Sequence, residues 1–380
     1  MIRPGQRLDK KAPSMQPAGT PHLSVVMMAY GDLRFLDEAV DSILRQDYRD
    51  FEFILVDDAA EQPDVFERLA LRDPRIQVIS YDQNLGPAAA ANRGIAVARG
   101  DIIARLDADD VAEPSRLGRL LAAFAVDPQI GMIGSWFTRI DEHNYELEVV
   151  RTPTSDLELR WLFLFHNPFC HSSIAFRKAV FDAAGCYNEN ANVRASEDAD
   201  LWYRMITLCR VGCLPCVLVR YRVNPRGLSA ANPPNWRLRT EASRRLLWRS
   251  LGVSYTPEII ADLVQFVSGW DVGGIDRRRQ VYARILELLR KFAQAKAPFG
   301  RAGDRSDMQR MKNTLIGRVL SDSTIGPVAW TECCWLAWRI DRIAALKGMG
   351  RRVFNSWNVA TKMLWSIVCG AVRRFWRSRV

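Results

Sequence analysis

The sequence predicts an α/β fold in which a mainly parallel central sheet carries helices on both faces. Two observations predict it. Short apolar runs alternate with stretches whose apolar residues recur at helical spacing, and the connections between them are short. A third observation locates the expected site. Several apolar runs end in polar or acidic residues, and ligands of such sheets bind at the carboxyl ends of the strands.

Residues 24–126 supply the alternating elements. The predicted strands lie at 24–29, 51–56, 76–80 and 101–106. The predicted helices lie at 33–44, 65–72, 86–99 and 116–126, and we expect the last of them to start near Pro114. Strands that are joined through helices favour parallel pairing.

The regular alternation ends after residue 126, and a more mixed sheet is predicted there. Its strands are expected at 130–140, 145–151, 172–176 and 211–223. Helices are expected at 157–165, 178–184 and 195–208, with Gly185 closing the second of them.

Composition suggests two domains and an anionic partner. The chain has 380 residues, of which 48% are hydrophobic, and its net charge is +10. No Asp or Glu follows Asp341, so the positive charge is concentrated in the tail. Residues 1–22 are polar and predict a disordered lead-in rather than a signal peptide. An Asn-Pro-Pro-Asn sequence at 232–235 marks a boundary, and 229–380 is expected to be a helical, basic C-terminal region.

The end of the tail predicts a helix at 357–377 with an aromatic, apolar face opposite a basic one. Trp357, Leu364 and Phe375 fall on the first face, and Lys362 and Arg373 on the second. That pattern is typical of a helix lying on an anionic membrane surface. The alternative is a terminal helix packed on the domain.

The expected location is cytoplasmic, with peripheral attachment to the inner face of the plasma membrane through this tail. No stretch reaches the roughly 18 to 20 apolar residues of a membrane span. Eight cysteines are present without a regular framework, and we expect reduced thiols.

An acidic cluster follows the predicted strand at 101–106. Asp107, Asp109 and Asp110 would repel one another unless a cation lay among them. Mg²⁺ or Mn²⁺ suits such oxygen ligands and usually arrives with the phosphates of a substrate. The alternative is a solvated acidic turn.

Two other strand ends favour a binding crevice over that alternative. Tyr30 follows the first predicted strand, and Asp57-Asp58 end the second. The first strand is not followed by G-x-G-x-x-G, and the chain has no G-x-x-x-x-G-K-[ST]. Dinucleotide-dependent redox chemistry and P-loop hydrolysis therefore lose support.

A separate acidic pair, Glu197-Asp198, opens the predicted helix at 195–208. Ser196 is placed to cap that helix, and acidic residues are favourable in its first turn. Capping alone is therefore one explanation of the pair, and chemistry is the other.

Four segments resemble family 2 glycosyltransferases with the GT-A fold: SVVMMAYGDLRFLDEAVDSILRQDY, FILVDDA, NLGPAAAANRGIAVARGDIIARLDADD and SEDADLWYRM. The resemblance covers residues 23–228, which it marks as the catalytic domain. It implies an inverting transfer of a sugar from a nucleotide-sugar, with a UDP-sugar expected, to a hydroxyl of a lipid-linked or oligosaccharide acceptor. The expected setting is the synthesis of a cell-surface or exported polysaccharide.

The resemblance also implies roles by position. Asp198 would be the general base. The nucleotide-sugar would contact Ala29, Tyr30, Asp58, Asn92, Arg93, Asp107 and Glu197, with Asp58 holding the nucleotide base. The metal, Mn²⁺ or Mg²⁺, would involve Asp109, Asp110 and His171. An inverting transfer needs a carboxylate that accepts the acceptor proton and a cation that neutralises the leaving diphosphate.

Departures from the family pattern narrow the prediction. The Arg of the common Ala-Arg-Asn is replaced by Ala91, although Arg93 follows closely. The Q-x-x-R-W motif of processive relatives is absent after Asp200, which favours transfer of a single sugar.

Trp202 and Tyr203 are predicted to be core and rim aromatics. The alternatives left open are an inactive scaffold with this fold and a nucleotidyltransferase. Nucleic-acid binding is not expected, because no known module is present.

Overall fold

The computed structural model describes residues 22–190, 196–227, 243–247, 249, 251–267, 272–294 and 305–321, together with 333, 334, 337, 340, 341 and 345. The predicted lead-in lies outside the described residues except for residue 22. The predicted helix at 357–377 lies entirely outside them.

Within the described residues, nine strands form one sheet. They are β1 (Leu23–Ala29), β2 (Phe51–Asp57), β3 (Ile76–Ser80), β4 (Ile102–Arg105), β5 (Val111–Ala112), β6 (Ile130–Ile140), β7 (Glu146–Val150), β8 (Ala175–Arg177) and β9 (Arg210–Arg222). The strand order is β3-β2-β1-β4-β8-β6-β9-β5, and β7 pairs with β6. The β1–β4 part is parallel, and β8 joins it in the antiparallel sense. The predicted mixed α/β sheet is confirmed.

The helices whose bounds the structure describes are α1 (Leu36–Leu44), α2 (Pro63–Ala70), α3 (Pro87–Val97), α4 (Arg116–Val126), α5 (Asp156–Phe163), α6 (Lys178–Ala184), α7 (Glu197–Met205), α8 (Pro257–Val267), α9 (Ile275–Gln294) and α10 (Arg305–Ser321). Each of the first seven overlaps a helix that the sequence predicts. Gly185 ends α6 with a φ of +85°, as expected of a glycine in the left-handed region.

Three local predictions are corrected. The segment after the acidic cluster forms the two-residue strand β5 before α4, because Val111 and Ala112 pair with β9. The predicted strand at 172–176 begins instead with a 3₁₀ turn at His171–Ser173. Ser196 lies at the N-cap of α7, but its side chain makes no capping hydrogen bond.

Apolar side chains cover both faces of the sheet. Alternate residues of β1 belong to different buried clusters, Val26 to one and Val25 to the other, as the two-residue period of a strand requires. Helix α3 lies close to the sheet at Gly94, where a Cβ atom would stand 2.8 Å from side-chain atoms of Val26 and Val56. Only glycine permits this approach.

The C-terminal helices extend one of these clusters. Trp161 of α5 packs edge-on against Phe292 of α9, with 5.3 Å between ring centroids. Ser243 donates a hydrogen bond of 3.3 Å to the carbonyl oxygen of Phe165. None of the helices in the described part of the chain combines the length and the apolar character that crossing a membrane requires.

Candidate active site

The carboxyl ends of β1, β2 and β4 meet at one edge of the sheet. Ala29 lies opposite Asp57 in the β1–β2 pair, and Val26 lies opposite Arg105 in the β1–β4 pair. Ala29 is buried and the next residue, Tyr30, is 59% exposed. The residues predicted to line the crevice therefore lie at the edge of the sheet formed by these strand ends, as parallel pairing requires.

Asp58 organises the loop that leads into α3. Its carboxylate accepts hydrogen bonds from the backbone N–H groups of Leu85 (2.7 Å) and Gly86 (2.9 Å) and from Asn84 Nδ2 (3.2 Å). Gly86 has a φ of +83°, a conformation that favours glycine. Asp58 is only 2% exposed, so its orientation is fixed by these three donors.

Asn92 and Arg93 lie on the side of α3 that faces the 187–189 segment. The Asn92 amide bonds the Tyr187 backbone in both directions, at 2.9 Å each. Arg93 lies 3.6 Å from a Glu189 carboxylate oxygen. In these contacts Asn92 joins two chain segments, and Arg93 borders the same junction.

The acidic loop after β4 contains two half-buried carboxylates, Asp107 and Asp109. Arg105, which is fully buried, donates to Asp107 Oδ1 at 3.0 Å. Asn224 Nδ2 donates to Asp109 Oδ2 at 3.2 Å. Burial, together with the neighbouring charge of Asp107, raises the pKa of Asp109 to about 6. A bound cation would relieve that repulsion.

Asp110 has a different environment, because it is fully buried. Its carboxylate is hydrogen-bonded by Ser172 Oγ and, at 2.7 Å, by the backbone N–H of Arg222. Burial, followed by the charges of Asp109 and Asp107, raises its pKa well above the ordinary value. These contacts suit a residue that fixes the loop and do not favour a metal ligand.

His171 lies beside Asp107 with both ring nitrogens facing polar groups. Nε2 is 2.8 Å from Tyr187 OH and 3.4 Å from Arg105 Nε. Since Arg105 can only donate, Nε2 is the acceptor and the proton belongs on Nδ1. Nδ1 lies 3.7 Å from Asp107 Oδ1, and burial lowers the pKa of His171. A neutral imidazole oriented in this way supports Asp107 better than it would bind a metal directly.

The predicted three-residue metal set is therefore not assembled. Among the described residues, no three His, Cys, Asp or Glu side chains are grouped so as to hold a metal ion. Two carboxylates, Asp107 and Asp109, nevertheless fit Mg²⁺ or Mn²⁺, which usually takes one or two carboxylates and completes its shell with water and substrate phosphates.

Arg222 holds the acidic loop from β9 and is not among the predicted site residues. Its guanidinium donates to the Asp109 carbonyl oxygen (2.8 Å) and to Glu38 (2.7 Å) and lies 4.1 Å above the Phe35 ring. Asn224, two residues later, touches the Asp109 carboxylate. The sequence offers one signal for Arg222, its position at the end of an apolar strand, and offers none for Asn224.

Glu197 and Asp198 lie in the first turn of α7, where they were predicted. Glu197 is 7% exposed. Asp198 is half-buried, and its Oδ1 accepts from the Ala199 backbone N–H at 2.6 Å. Its Oδ2 accepts from Asn167 Nδ2 at 3.0 Å. Asn167, which contacts Asp198, lies four residues before His171, which faces Asp107, so Asp198 is connected to the acidic loop.

Residues 167–171, here called the bridging loop, connect the two acidic regions. Asn167 contacts Asp198, and His171 faces Asp107. Between them, Phe169 packs so closely on β6 that a Cβ atom at Gly134 would stand 2.5 Å from its ring.

Gly134→Ala should therefore displace Phe169 and the bridging loop. We expect a loss of roughly 1–3 kcal/mol of stability from overpacking and reduced activity of the folded protein, measured by chemical denaturation and by turnover. Gly118→Ala, where a Cβ atom would meet only one atom at 3.9 Å, is the matched control. Equal behaviour of the two variants would contradict the interpretation.

Known proteins that are similar to this chain are glycosyltransferases. The model of the family described as glycosyl transferase family 2 matches residues 24–184. An uncharacterized glycosyltransferase of Methanocaldococcus jannaschii, MJ1057, is 30% identical over 54% of this chain and 72% of its own length. The O-antigen biosynthesis glycosyltransferase WbnJ of Escherichia coli is 28% identical over 53% of this chain and 80% of its own.

Among solved structures, that of S. aureus TarS 1-349 in complex with UDP is similar over 88% of this chain and 91% of its own. The identity is 12% and the TM-score 0.48. At this level the likeness concerns the general course of the chain alone.

The mixed α/β sheet and the match to the family model define a glycosyltransferase of the GT-A type. The chain belongs to glycosyl transferase family 2.

Proposed function

We propose that the protein transfers a single sugar, with inversion, from a nucleotide-sugar to an acceptor hydroxyl in the synthesis of a cell-surface or exported polysaccharide. A UDP-sugar is the first donor to test. One observation carries the proposal. An acidic loop with two half-buried carboxylates lies at the strand ends, and the bridging loop connects it to the separate carboxylate of Asp198. The O-antigen role in the name of WbnJ supports the polysaccharide setting.

Asp198 is the proposed general base. It takes the proton of the acceptor hydroxyl while that oxygen bonds to the anomeric carbon of the donor. The bond from this carbon to the diphosphate breaks on the opposite face, and the diphosphate leaves with the electron pair. Asp198 is half-buried and hydrogen-bonded through both oxygens, so the carboxylate is held in one orientation.

Asp109 and Asp107 are the proposed holders of Mn²⁺ or Mg²⁺. When bound, the ion neutralises the charge that develops on the diphosphate. Asn224 orients Asp109, and Arg105 orients Asp107. In this arrangement Asp110 and His171 fix the acidic loop through their contacts in the interior. The resemblance implies that they also take part in binding the metal.

The nucleoside is proposed to lie between Tyr30 and Asp58. Tyr30 is exposed at the end of β1, where an aromatic ring can cover a base or ribose. Asp58 keeps acceptor capacity at Oδ1, which has two lone pairs and accepts one hydrogen bond, whereas Oδ2 already accepts two. Four further residues remain predicted contacts of the nucleotide-sugar: Ala29, Asn92, Arg93 and Glu197.

A lipid-linked or oligosaccharide acceptor is proposed on the cytoplasmic side. Contact of the 357–377 segment with an anionic membrane surface stays a prediction from the sequence.

Thermal stability with UDP, GDP and ADP, each with and without Mn²⁺, tests the proposal. A ligand at about 100 times its Kd adds about 2.7 kcal/mol, a shift on the order of 2–4 °C. We expect one diphosphate to stabilise the protein, and only with metal. If no nucleotide binds under any condition, the inactive scaffold becomes the better explanation. If the protein instead joins a nucleoside triphosphate to a sugar phosphate, the nucleotidyltransferase alternative holds.

A further inference from the structure

Asn167 has both ends of its amide committed. Its Oδ1 accepts the backbone N–H of Phe169 at 3.0 Å, and its Nδ2 donates to Asp198 Oδ2 at 3.0 Å. Since a backbone N–H can only donate, the oxygen must face Phe169 and the NH₂ group must face Asp198. The orientation of the amide is thus set by the donor and acceptor roles of its two neighbours.

The bridging loop that carries Asn167 is fixed by contacts that do not involve Asp198. The Pro168 carbonyl oxygen accepts from Thr152 Oγ1 at 3.1 Å, and the Cys170 carbonyl oxygen accepts from Ser173 Oγ at 2.8 Å. Phe169 is 7% exposed and packs edge-on against Phe163, with 5.6 Å between centroids. Asn167 therefore offers Asp198 a donor at a fixed point.

We propose that Asn167 is a positioning residue for Asp198, fixing the carboxylate in the rotamer that presents its remaining lone pairs to the acceptor hydroxyl. This inference rests on the proposed function, in which Asp198 is the base. The Ala199 backbone N–H on Oδ1 and the Asn167 amide on Oδ2 hold the carboxylate from two sides.

The bridging loop also connects Asp198, the proposed base, to the part of the site that is proposed to hold the nucleotide-sugar. His171, at its other end, faces Asp107 and contacts Tyr187 OH. Misplacing a reacting group by about 1 Å can cost on the order of 10²-fold in rate. A loop that fixes both Asp198 and Asp107 would set the distance between the acceptor hydroxyl and the nucleotide-sugar.

Asn167→Asp tests the inference, because it separates the two contacts. An aspartate keeps an oxygen for the Phe169 N–H, removes the donor to Asp198 and places a second carboxylate beside it, whose charge repels that of Asp198. We expect kcat to fall by roughly 10- to 100-fold, with the donor KM and the stabilisation by nucleotide with Mn²⁺ unchanged, whereas the repulsion between the two carboxylates lowers the melting temperature. Asn167→Ser, which keeps a hydroxyl donor, should lose less.

The matched control is Asn188→Asp. Asn188 is exposed, and its Oδ1 likewise accepts the N–H two residues on, at 3.1 Å from Asn190, so the same exchange there should leave kcat unchanged. The readout is release of nucleoside diphosphate, with water as acceptor, from UDP-glucose, UDP-N-acetylglucosamine or GDP-mannose in Mn²⁺.

The outcomes separate the two proposals. If Asp198→Asn abolishes turnover while Asn167→Asp leaves kcat at the wild-type value, the positioning role is overturned and the proposed function stands. If Asn167→Asp loses melting temperature in proportion to activity, and Asn167→Ser loses as much, the role is structural and the inference is equally overturned. If Asp198→Asn keeps full turnover, the base assignment fails, and the inference fails with it.

Discussion

Asp198→Asn should lower kcat on the order of 10³-fold, because the amide cannot accept the proton of the acceptor hydroxyl. The side chain keeps its size, and its oxygen can still accept from Asn167 or Ala199, so the fold and the bound nucleotide should be unaffected. Turnover measures the first effect, and thermal stabilisation by the binding nucleotide with Mn²⁺ measures the second.

Asp200→Asn is the control on the same helix. Asp200 pairs with Arg204 at 2.7 Å within α7, and a half-exposed ion pair of this kind contributes roughly 0–1 kcal/mol. The substitution should leave kcat within about twofold, since it touches no group of the proposed site. Turnover of Asp198→Asn within tenfold of the wild type would remove Asp198 from the role of base.

Asp109→Asn should have two opposite effects. It should abolish the metal-dependent stabilisation by nucleoside diphosphate, because an amide is a poor substitute for a carboxylate on Mn²⁺ or Mg²⁺. It should also make the metal-free protein more stable at pH 7. Burial and Asp107 raise the pKa of Asp109 to about 6, so ionisation of the folded protein costs free energy that the unfolded chain does not incur.

The sign follows from linkage. A carboxyl group whose pKa rises on folding binds its proton more tightly in the folded state. Stability is therefore lost as pH rises from the unfolded pKa near 4 to the folded value near 6. The asparagine variant avoids that loss, and we expect a gain on the order of 1 kcal/mol above pH 6, with none near pH 4.

Melting temperatures in EDTA at pH 4.5 and pH 7.5, and at pH 7.5 with Mn²⁺ and nucleotide, measure both effects. Asp182→Asn, an exposed carboxylate in α6, should change neither. If Asp109→Asn keeps the metal-dependent stabilisation, the ion is held elsewhere, and the assignment of Asp107 and Asp109 must be abandoned.

The candidate site was predictable where a residue's role depends on its position along a strand or helix. Tyr30, Asp58 and Asp107 follow the ends of apolar runs, and the convergence of those ends is a consequence of parallel pairing alone. Asp198 opens a periodic helix. In each case the signal is local and needs no knowledge of what packs against the residue.

The residues that support the site could not be predicted in this way. Arg222 reaches Asp109 across 113 positions of sequence, and Asn167 reaches Asp198 across 31. Nothing in an isolated Arg or Asn indicates its partner. The same limit explains the corrected roles, since the difference between Asp109 and Asp110 is one of burial and of which donors surround each carboxylate.

By itself, the sequence determined the α/β class, the order of the elements and the strand ends at which the carboxylates collect, because apolar periodicity and chain order fix these. Only the tertiary structure decided which carboxylate of the acidic cluster is half-buried and which is fixed in the interior. It also decided how His171 is oriented and that one loop connects Asp198 to the acidic cluster. These depend on hydrogen bonds and desolvation between segments far apart in the chain, which a linear pattern does not encode.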